Sequence, residues 1–103
     1  MLKKFDLNIE PEALEDIQKA VNWYNNEQIG LGELFFKAID KHFTFLKNNY
    51  TACQVRYDDI HCMKVKNFPY MIHYRILPES KTVSIKAVFH THRSPDIWQE
   101  RTK

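Results

Sequence analysis

The segments CMKVKNF (residues 62–68), YMIHYRIL (residues 70–77) and TVSIKAVFH (residues 82–90) decide the fold of this chain. Apolar and polar residues alternate along each segment, which is typical of β-strands, because successive side chains of a strand point to opposite faces of the sheet. Short connectors around Pro69 and from Pro78 to Lys81 have the length of hairpin turns. This half of the chain therefore predicts an antiparallel β-meander.

The polar residues of these three segments are mostly basic, so one face of the predicted sheet is expected to be cationic. Such a face suits phosphate or an acidic peptide laid across the sheet. Alternatively, the lysines serve only to discourage edge-to-edge pairing between molecules, and composition alone does not decide between the two. The predicted cationic face carries Lys64, Lys66, His73, Arg75, Lys86 and His90, with His92 and Arg93 just beyond it.

The first half of the chain predicts a short strand over residues 2–9 and then a helix that begins at about Pro11, because proline is tolerated in a first helical turn. Gly30 and Gly32 interrupt the helical pattern and predict a turn before a second helix. Apolar residues at helical spacing define the expected inner faces of the two helices. They are Ala13, Leu14, Ile17, Ala20, Val21, Trp23 and Tyr24 in the first helix, and Leu34, Phe35, Ala38, Ile39, His42, Phe45 and Leu46 in the second, widened by Phe36 and Phe43.

The order strand, helix, helix and meander predicts the α+β class. The helical hairpin is expected to pack on one face of the sheet and to leave the other face open to a partner. The segment between the second helix and the meander is mixed, with a short extended piece expected over residues 54–57.

Length and composition bound the possible functions. A chain of 103 residues that is 44% hydrophobic predicts a single domain spanning residues 1–103. The net charge of +2 is too small for long-range capture of nucleic acid by the whole molecule, so any such binding needs a local patch. No signal peptide or membrane-spanning window is recognisable, which predicts a cytoplasmic protein. Cys53 and Cys62 lack metal-ligand spacing, so both are expected to be free structural thiols. The sequence predicts no bound metal and no cofactor.

The end of the third strand, His90-Thr91-His92-Arg93, has three interpretations: a metal clip, an acid/base site or a polar strand terminus. A metal clip lacks a third ligand. Acid/base chemistry is reasonable, because cleavage of RNA by its own 2′-hydroxyl needs a base, cations and an acid, and histidine titrates in the required range. The candidate catalytic residues for that reaction are His90, Arg93, Arg75 and Lys66. Trp98, in the tail, is expected to anchor a short C-terminal helix.

Taken together, these residues resemble the RelE/ParE superfamily of type II toxins over nearly the whole chain. No single motif is specific, but their order and spacing together are. The resemblance rests on Glu15-Asp16-Ile17, Trp23-Tyr24, Gly30-Leu31-Gly32, Lys64-Val65-Lys66-Asn67-Phe68-Pro69-Tyr70, Ile72-His73-Tyr74, Ala87-Val88-Phe89-His90, Arg93, Pro95 and Trp98.

The resemblance implies a small growth-inhibiting toxin that a cognate antitoxin wraps and masks in a hetero-oligomer. RelE-like members cut messenger RNA on the ribosome, whereas ParE-like members poison DNA gyrase and are not nucleases. The nucleases usually have an arginine where this chain has Met71, commonly have a catalytic tyrosine or histidine near the position of Trp98, and tend to be strongly basic. These departures favour a ParE-like binder. A ribosome-dependent endonuclease using His90 and Arg93, and an inactive antitoxin-binding module, are the alternatives.

Two surfaces are expected to bind the antitoxin. Apolar edges of the helical hairpin at Ile29, Phe36 and Phe43 would accept an amphipathic helix, unless those residues complete the core. Lys64, His73 and Lys86 on the sheet would accept an acidic extended segment.

Overall fold

The computed structural model describes residues 4–102, and within them it forms a five-stranded mixed sheet with helices on both faces. The strand order is β1-β5-β4-β3-β2, and β1 runs parallel to β5 while the other neighbours are antiparallel. The predicted α+β class is confirmed. In chain order the elements are β1 Asp6–Ile9, α1 Pro11–Glu27, α2 Leu31–Asn48, β2 Val55–Tyr57, β3 Ile60–Lys64, β4 Tyr70–Leu77, β5 Thr82–His90 and α3 Pro95–Arg101.

Most element bounds agree with the sequence pattern. The start of α1 at Pro11, the bounds of β4 and β5 and the short strand β2 are confirmed. The predicted strand over residues 62–68 is wrong at both ends, since β3 begins at Ile60 and ends at Lys64. It ends early because Asn67 has a left-handed φ of 70° and the Phe68 N–H donates to the Val65 carbonyl in a turn. Residues 2 and 3 of the predicted first strand lie outside the described residues.

The helical hairpin packs on one face of the sheet, here called the inner face. Each helix buries a narrower stripe than predicted, because only residues that point directly at the sheet or at the other helix lose their solvent. Phe43 is buried as predicted. Four other residues that were predicted to face inward are exposed: Leu14, Trp23, Leu34 and Phe45. The buried stripes are Ala13, Ile17, Ala20 and Tyr24 in α1 and Phe35, Ile39, Phe43 and Leu46 in α2.

The turn between the helices uses its two glycines differently. Gly30 adopts a φ of 90° at the N-terminus of α2, which is a conformation that favours glycine. Gly32 lies inside α2, and a Cβ atom placed on it would be 2.5 Å from the carbonyl oxygen of Val21. The Gly32 N–H donates to Asn25 Oδ1 at 2.9 Å. Gly32 therefore permits the close approach of the two helices.

A β-bulge at Lys86 reverses the two faces of β5. His73 pairs with Ala87 and the next residue of β4, Tyr74, pairs with Ile85, so Lys86 has no partner in β4. The alternation along TVSIKAVFH predicts one shared face for four apolar residues, Val83, Ile85, Ala87 and Phe89, and this prediction is wrong. Before the bulge Val83 and Ile85 belong to the inner core, which Val88 joins after it, whereas Ala87 and Phe89 belong to a second cluster on the opposite face.

The opposite face of the sheet, here called the outer face, is covered and not open as predicted. α3 packs Trp98 against Met71, Ala87 and Phe89, with Tyr57 and Cys62 at the edge. We call this group the outer cluster. It confirms that Trp98 anchors the C-terminal helix.

Candidate functional site

The four candidate catalytic residues do not converge on one site. Arg75 donates from Nε to Asp59 Oδ2 at 2.7 Å and from Nη2 to the Thr102 carbonyl at 3.3 Å. Lys66 lies in the turn before β4, where its N–H donates to His42 Nε2. His90 ends β5, paired with Tyr70, and Arg93 follows in the next turn. The structure thus brings together His90 and Arg93 and separates them from Arg75 and Lys66.

His90 and Arg93 line a cleft between α1 and the ends of β4 and β5, here called the α1–β5 cleft. Backbone hydrogen bonds shape its rim, because the Thr91 N–H donates to the Pro69 carbonyl at 2.8 Å and the Arg93 N–H donates to the His90 carbonyl at 2.9 Å. The cleft has two connected parts. The aromatic part, about 450 Å³, is lined by Trp23, Tyr24, Pro69, Tyr70 and His90; the polar part, about 310 Å³, shares Trp23, Tyr70 and His90 and adds Asp16, Lys19, Ala20, Val88, Phe89, Arg93 and Arg101.

The imidazole of His90 is held between two rings. Its centroid lies 5.2 Å from that of Tyr70 in an edge arrangement and 5.0 Å from that of His92, nearly parallel to it. The His92 N–H donates to His90 Nδ1 at 3.1 Å. Because Nδ1 accepts, a neutral His90 carries its proton on Nε2.

Asp16 is a structural carboxylate and not a free base in this cleft. Its Oδ2 accepts from the Val88 N–H at 3.0 Å and from Arg101 Nη2 at 2.9 Å, and its Oδ1 accepts from Arg101 Nη1. Arg101 Nε is also 3.0 Å from Glu12 Oε2, close enough for an ion pair but not aligned as a hydrogen bond. Asp16 thereby joins α1, β5 and α3.

The predicted cationic face does not form. His73 is fully buried, Lys86 pairs with Glu10 at 3.1 Å, and the Lys64 ammonium donates to the carbonyls of Val65 and Phe68. The pairing with Lys86 lowers the pKa of Glu10, which is consistent with a stable ion pair. The prediction that His73 contacts a partner is therefore wrong, because its side chain is buried in the outer cluster. Lys64 and Lys86 instead make contacts within the protein.

His73 instead forms the polar centre of the outer cluster. Its Nδ1 lies 3.0 Å from the Tyr57 hydroxyl and 3.4 Å from Cys62 Sγ. Burial, together with the charges of Arg56 and Arg101, lowers the pKa of His73 to about 4. Burial also raises the pKa of the Cys62 thiol to about 11, so this cysteine remains protonated and unreactive.

An apolar groove runs between α1 and α2 on the side away from the sheet. It encloses about 530 Å³, and its apolar walls come from Leu14, Ile17, Val21 and Phe36. Phe36 is 54% exposed and Ile29, at the end of the hairpin, is 96% exposed. Of the predicted apolar contacts, these two are accessible and Phe43 belongs to the core.

Sequence reasoning missed Lys19, Trp23 and Tyr70 as parts of a site. Trp23 was assigned to the inner face of α1, and only its exposure in the folded protein separates it from the core of that helix. Within residues 4–102, no group of three His, Cys, Asp or Glu side chains is placed to hold a metal ion. In the same part of the chain, no helix has the length and apolar character needed to cross a membrane.

Known structures share this fold. A chromosomal ParDE toxin-antitoxin system from P. aeruginosa matches with a TM-score of 0.69 at 14% identity, covering 84% of this chain and 96% of that one. A doubly substituted E. coli RelE toxin in the free state matches with a TM-score of 0.68 at 15% identity, covering 95% and 94%. The intact E. coli RelBE toxin-antitoxin complex matches with a TM-score of 0.64 at 17% identity, covering 86% and 99%.

At these identities the structural likeness establishes the fold. No curated protein sequence matches the chain significantly. A family model, however, matches residues 7–95, from β1 to the start of α3, and it describes the ParE toxin of the type II toxin-antitoxin system parDE. Because this family model matches most of the chain, and the fold agrees with it, the chain belongs to the ParE toxin family of type II toxin-antitoxin systems.

Proposed function

We propose that this toxin acts in the cytoplasm, stops bacterial growth by binding an essential target rather than by cutting RNA, and is neutralised by a cognate antitoxin. DNA gyrase is the candidate target, because the family assignment is to ParE. The observation that carries the proposal is the separation of the candidate catalytic side chains.

Cleavage of a phosphodiester needs an acid, a base and cations around one phosphate. Here Arg75 is bound to Asp59 and Thr102, and Lys66 lies beside His42, away from the α1–β5 cleft. Trp98, near the position at which nucleases of the superfamily commonly carry a catalytic tyrosine or histidine, is buried in the outer cluster. This arrangement supports binding over catalysis.

One observation favours the endonuclease as the second candidate. His90 and Arg93 line one cleft with Lys19, so an acid/base group and two cations stand near each other. A phosphate bound there would lie near one histidine and two cations, which are some of the groups that phosphodiester cleavage requires. The inactive antitoxin-binding module is the third candidate, and the same experiment separates all three.

The α1–α2 groove is the proposed site for an antitoxin helix. Its apolar walls and the exposed Phe36 suit the apolar face of an amphipathic helix. The solved RelBE complex, which shares the fold, pairs its toxin with an antitoxin.

The test is induced expression in a bacterial host, with growth, messenger RNA integrity and gyrase–DNA cleavage complexes measured in the same cultures. We expect growth arrest with intact messages and with accumulated cleavage complexes. His90→Ala and Arg93→Ala, compared with the neighbouring control Thr91→Ala, should leave messages equally intact. Fragmentation of messages by the unaltered protein that is lost in the His90→Ala and Arg93→Ala variants would establish the nuclease instead. Growth without arrest would leave an inactive module or an incompatible target in that host.

A further inference from the structure

The two parts of the α1–β5 cleft offer different chemistry to one ligand. Trp23, Tyr70 and His90 belong to both parts, so a ligand can extend from the aromatic part into the polar part without leaving the protein surface. The volumes of about 450 Å³ and about 310 Å³ fall in the range of small-ligand sites. A ligand that fits has a planar apolar portion and a polar portion attached to it.

The aromatic part presents rings that are accessible to a ligand. Trp23 is 56% exposed although it is the largest side chain of α1, and it contacts Tyr24 edge to face at 5.1 Å. A nucleobase stacks favourably on such an exposed indole, and the stabilisation depends little on which base it is. An exposed tryptophan beside a cleft is therefore suited to a planar ring.

The polar part is cationic. The Asp16 carboxylate is already bound by Arg101, so its charge is compensated within the protein. Among the described residues, no ion pair engages Lys19 or Arg93. Both are exposed, and Arg93 packs its guanidinium 5.5 Å from the Phe89 ring. These two cations are available to an anionic group in the polar part.

An extended acidic peptide fits this cleft less well than a nucleotide. A peptide that adds a strand to a sheet needs free backbone donors at the edge of the sheet. β1 ends at Ile9, opposite Ile85, and beyond that point the Val88 N–H is occupied by Asp16. The edge of β5 that borders the cleft is thus closed to strand addition at its centre.

We infer that the α1–β5 cleft binds a nucleotide unit of a single-stranded nucleic acid, with the base against Trp23 and Tyr70 and the phosphate against Arg93 and Lys19. This binding goes beyond the proposed function and requires no cleavage of the strand. Its failure would leave the growth-arrest proposal untouched, because it is measured on the purified protein.

The experiment is fluorescence anisotropy of labelled single-stranded oligoadenylate, about 10 nucleotides long, with the full-length protein at low salt. Trp23→Ala and Arg93→Gln should each weaken binding about fivefold or more. Phe36→Ala, an aromatic residue of similar exposure in the α1–α2 groove, and Lys37→Gln, an exposed cation on α2, should leave the affinity unchanged. RNA and DNA versions of the probe identify the type of strand.

Three results would overturn the inference. They are the absence of binding by the unaltered protein, equal affinity of Trp23→Ala and Phe36→Ala, and competition by polyglutamate as effective as that by unlabelled oligoadenylate. The last result would indicate a general anion site without recognition of a base. Because Trp23 and Arg93 are exposed, both variants are expected to fold, and circular dichroism verifies this before binding is measured.

Discussion

His73 makes the stability of this protein depend on pH between about pH 6.5 and pH 4, mostly above the range in which exposed carboxylates titrate. Its pKa falls from 6.5 to about 4 on folding, so the unfolded chain binds the proton more readily. The stabilisation is complete above about pH 6.5 and is lost as the pH falls toward 4. From about pH 7 to about pH 5, the free energy of unfolding should decrease by about 2 kcal/mol, measured by urea denaturation.

The matched variants for this prediction are His73→Asn and His92→Asn. His73→Asn keeps a polar atom near Tyr57 but removes the titrating ring, so the decrease should largely disappear even if the protein becomes less stable overall. His92 is exposed, and its replacement should leave the pH dependence as it was. If the free energy of unfolding of His73→Asn still decreased by the same amount between about pH 7 and about pH 5, another group would be responsible for the pH dependence.

Gly32 gives a second prediction, in which two effects oppose each other. Alanine inside a helix is favoured over glycine by roughly 1 kcal/mol. In Gly32→Ala, however, the new Cβ would meet the backbone oxygen of Val21, which cannot move without separating the helices, and such overpacking costs about 1–3 kcal/mol. We expect net destabilisation in thermal and urea denaturation.

The comparison for Gly32→Ala is Gly30→Ala, where nothing lies within 4 Å of the new Cβ and only the positive φ opposes the change. Its cost should be about 1 kcal/mol, from the backbone alone. If Gly32→Ala were stabilising, the two helices would have room that the described packing lacks.

At the scale of elements, the docking of α3 depends on Arg101, which joins this helix to Asp16 of α1. Arg101→Gln removes the charged contacts to Asp16, a carboxylate only 14% exposed, and should cost about 2 kcal/mol. Amide hydrogen exchange should increase in α3 and at Val88 more than in α2. The control, Lys37→Gln, breaks an ion pair in which both side chains are mostly exposed and should cost at most about 0.5 kcal/mol.

Only some features of the helices and strands could be predicted from the spacing of apolar residues. The periodicity located α1, β4 and β5, because their apolar residues follow one spacing from end to end. It could not locate the bulge, since Lys86 differs in no visible way from other polar residues of β5. One unpaired residue moved Ala87 and Phe89 to the outer face, and the predicted cationic face was lost with that change.

At the scale of the whole molecule, the toxin is expected to use separate surfaces for its antitoxin and for its target. Phe36→Asp places a charge in the α1–α2 groove and should weaken antitoxin binding by about thirtyfold, as for a central aromatic contact. Growth arrest should persist, and coexpressed antitoxin should no longer relieve it. Calorimetry with the purified antitoxin measures the affinity.

Phe45→Asp is the matched control, because Phe45 is also an exposed phenylalanine of α2 but lies outside the groove. Its antitoxin affinity and its growth phenotype should match those of the unaltered protein. Loss of growth arrest in Phe36→Asp alone would indicate that antitoxin and target compete for one surface.

The candidate site was only partly predictable, and the reason is geometric. His90 and Arg93 are three residues apart in sequence, so their proximity follows from local structure. Trp23 and Tyr70 are far apart in the chain and line the same cleft only because α1 docks on the sheet. Such contacts depend on tertiary packing, which the alternation of residue types does not encode.

The parallel pairing of β1 with β5 affects how the protein can be made. Asp6–Ile9 is synthesised well before its partners in β5, residues 82–85. At about 5–20 residues per second, the first strand waits several seconds for the fifth. A chain that ends before residue 82 lacks β5, which joins β1 to the rest of the sheet, and the segment that carries His90, Arg93 and Trp98. Translation interrupted before β5 therefore produces fragments without the completed inner core, and the toxin can fold only after residues 82–90 have been translated.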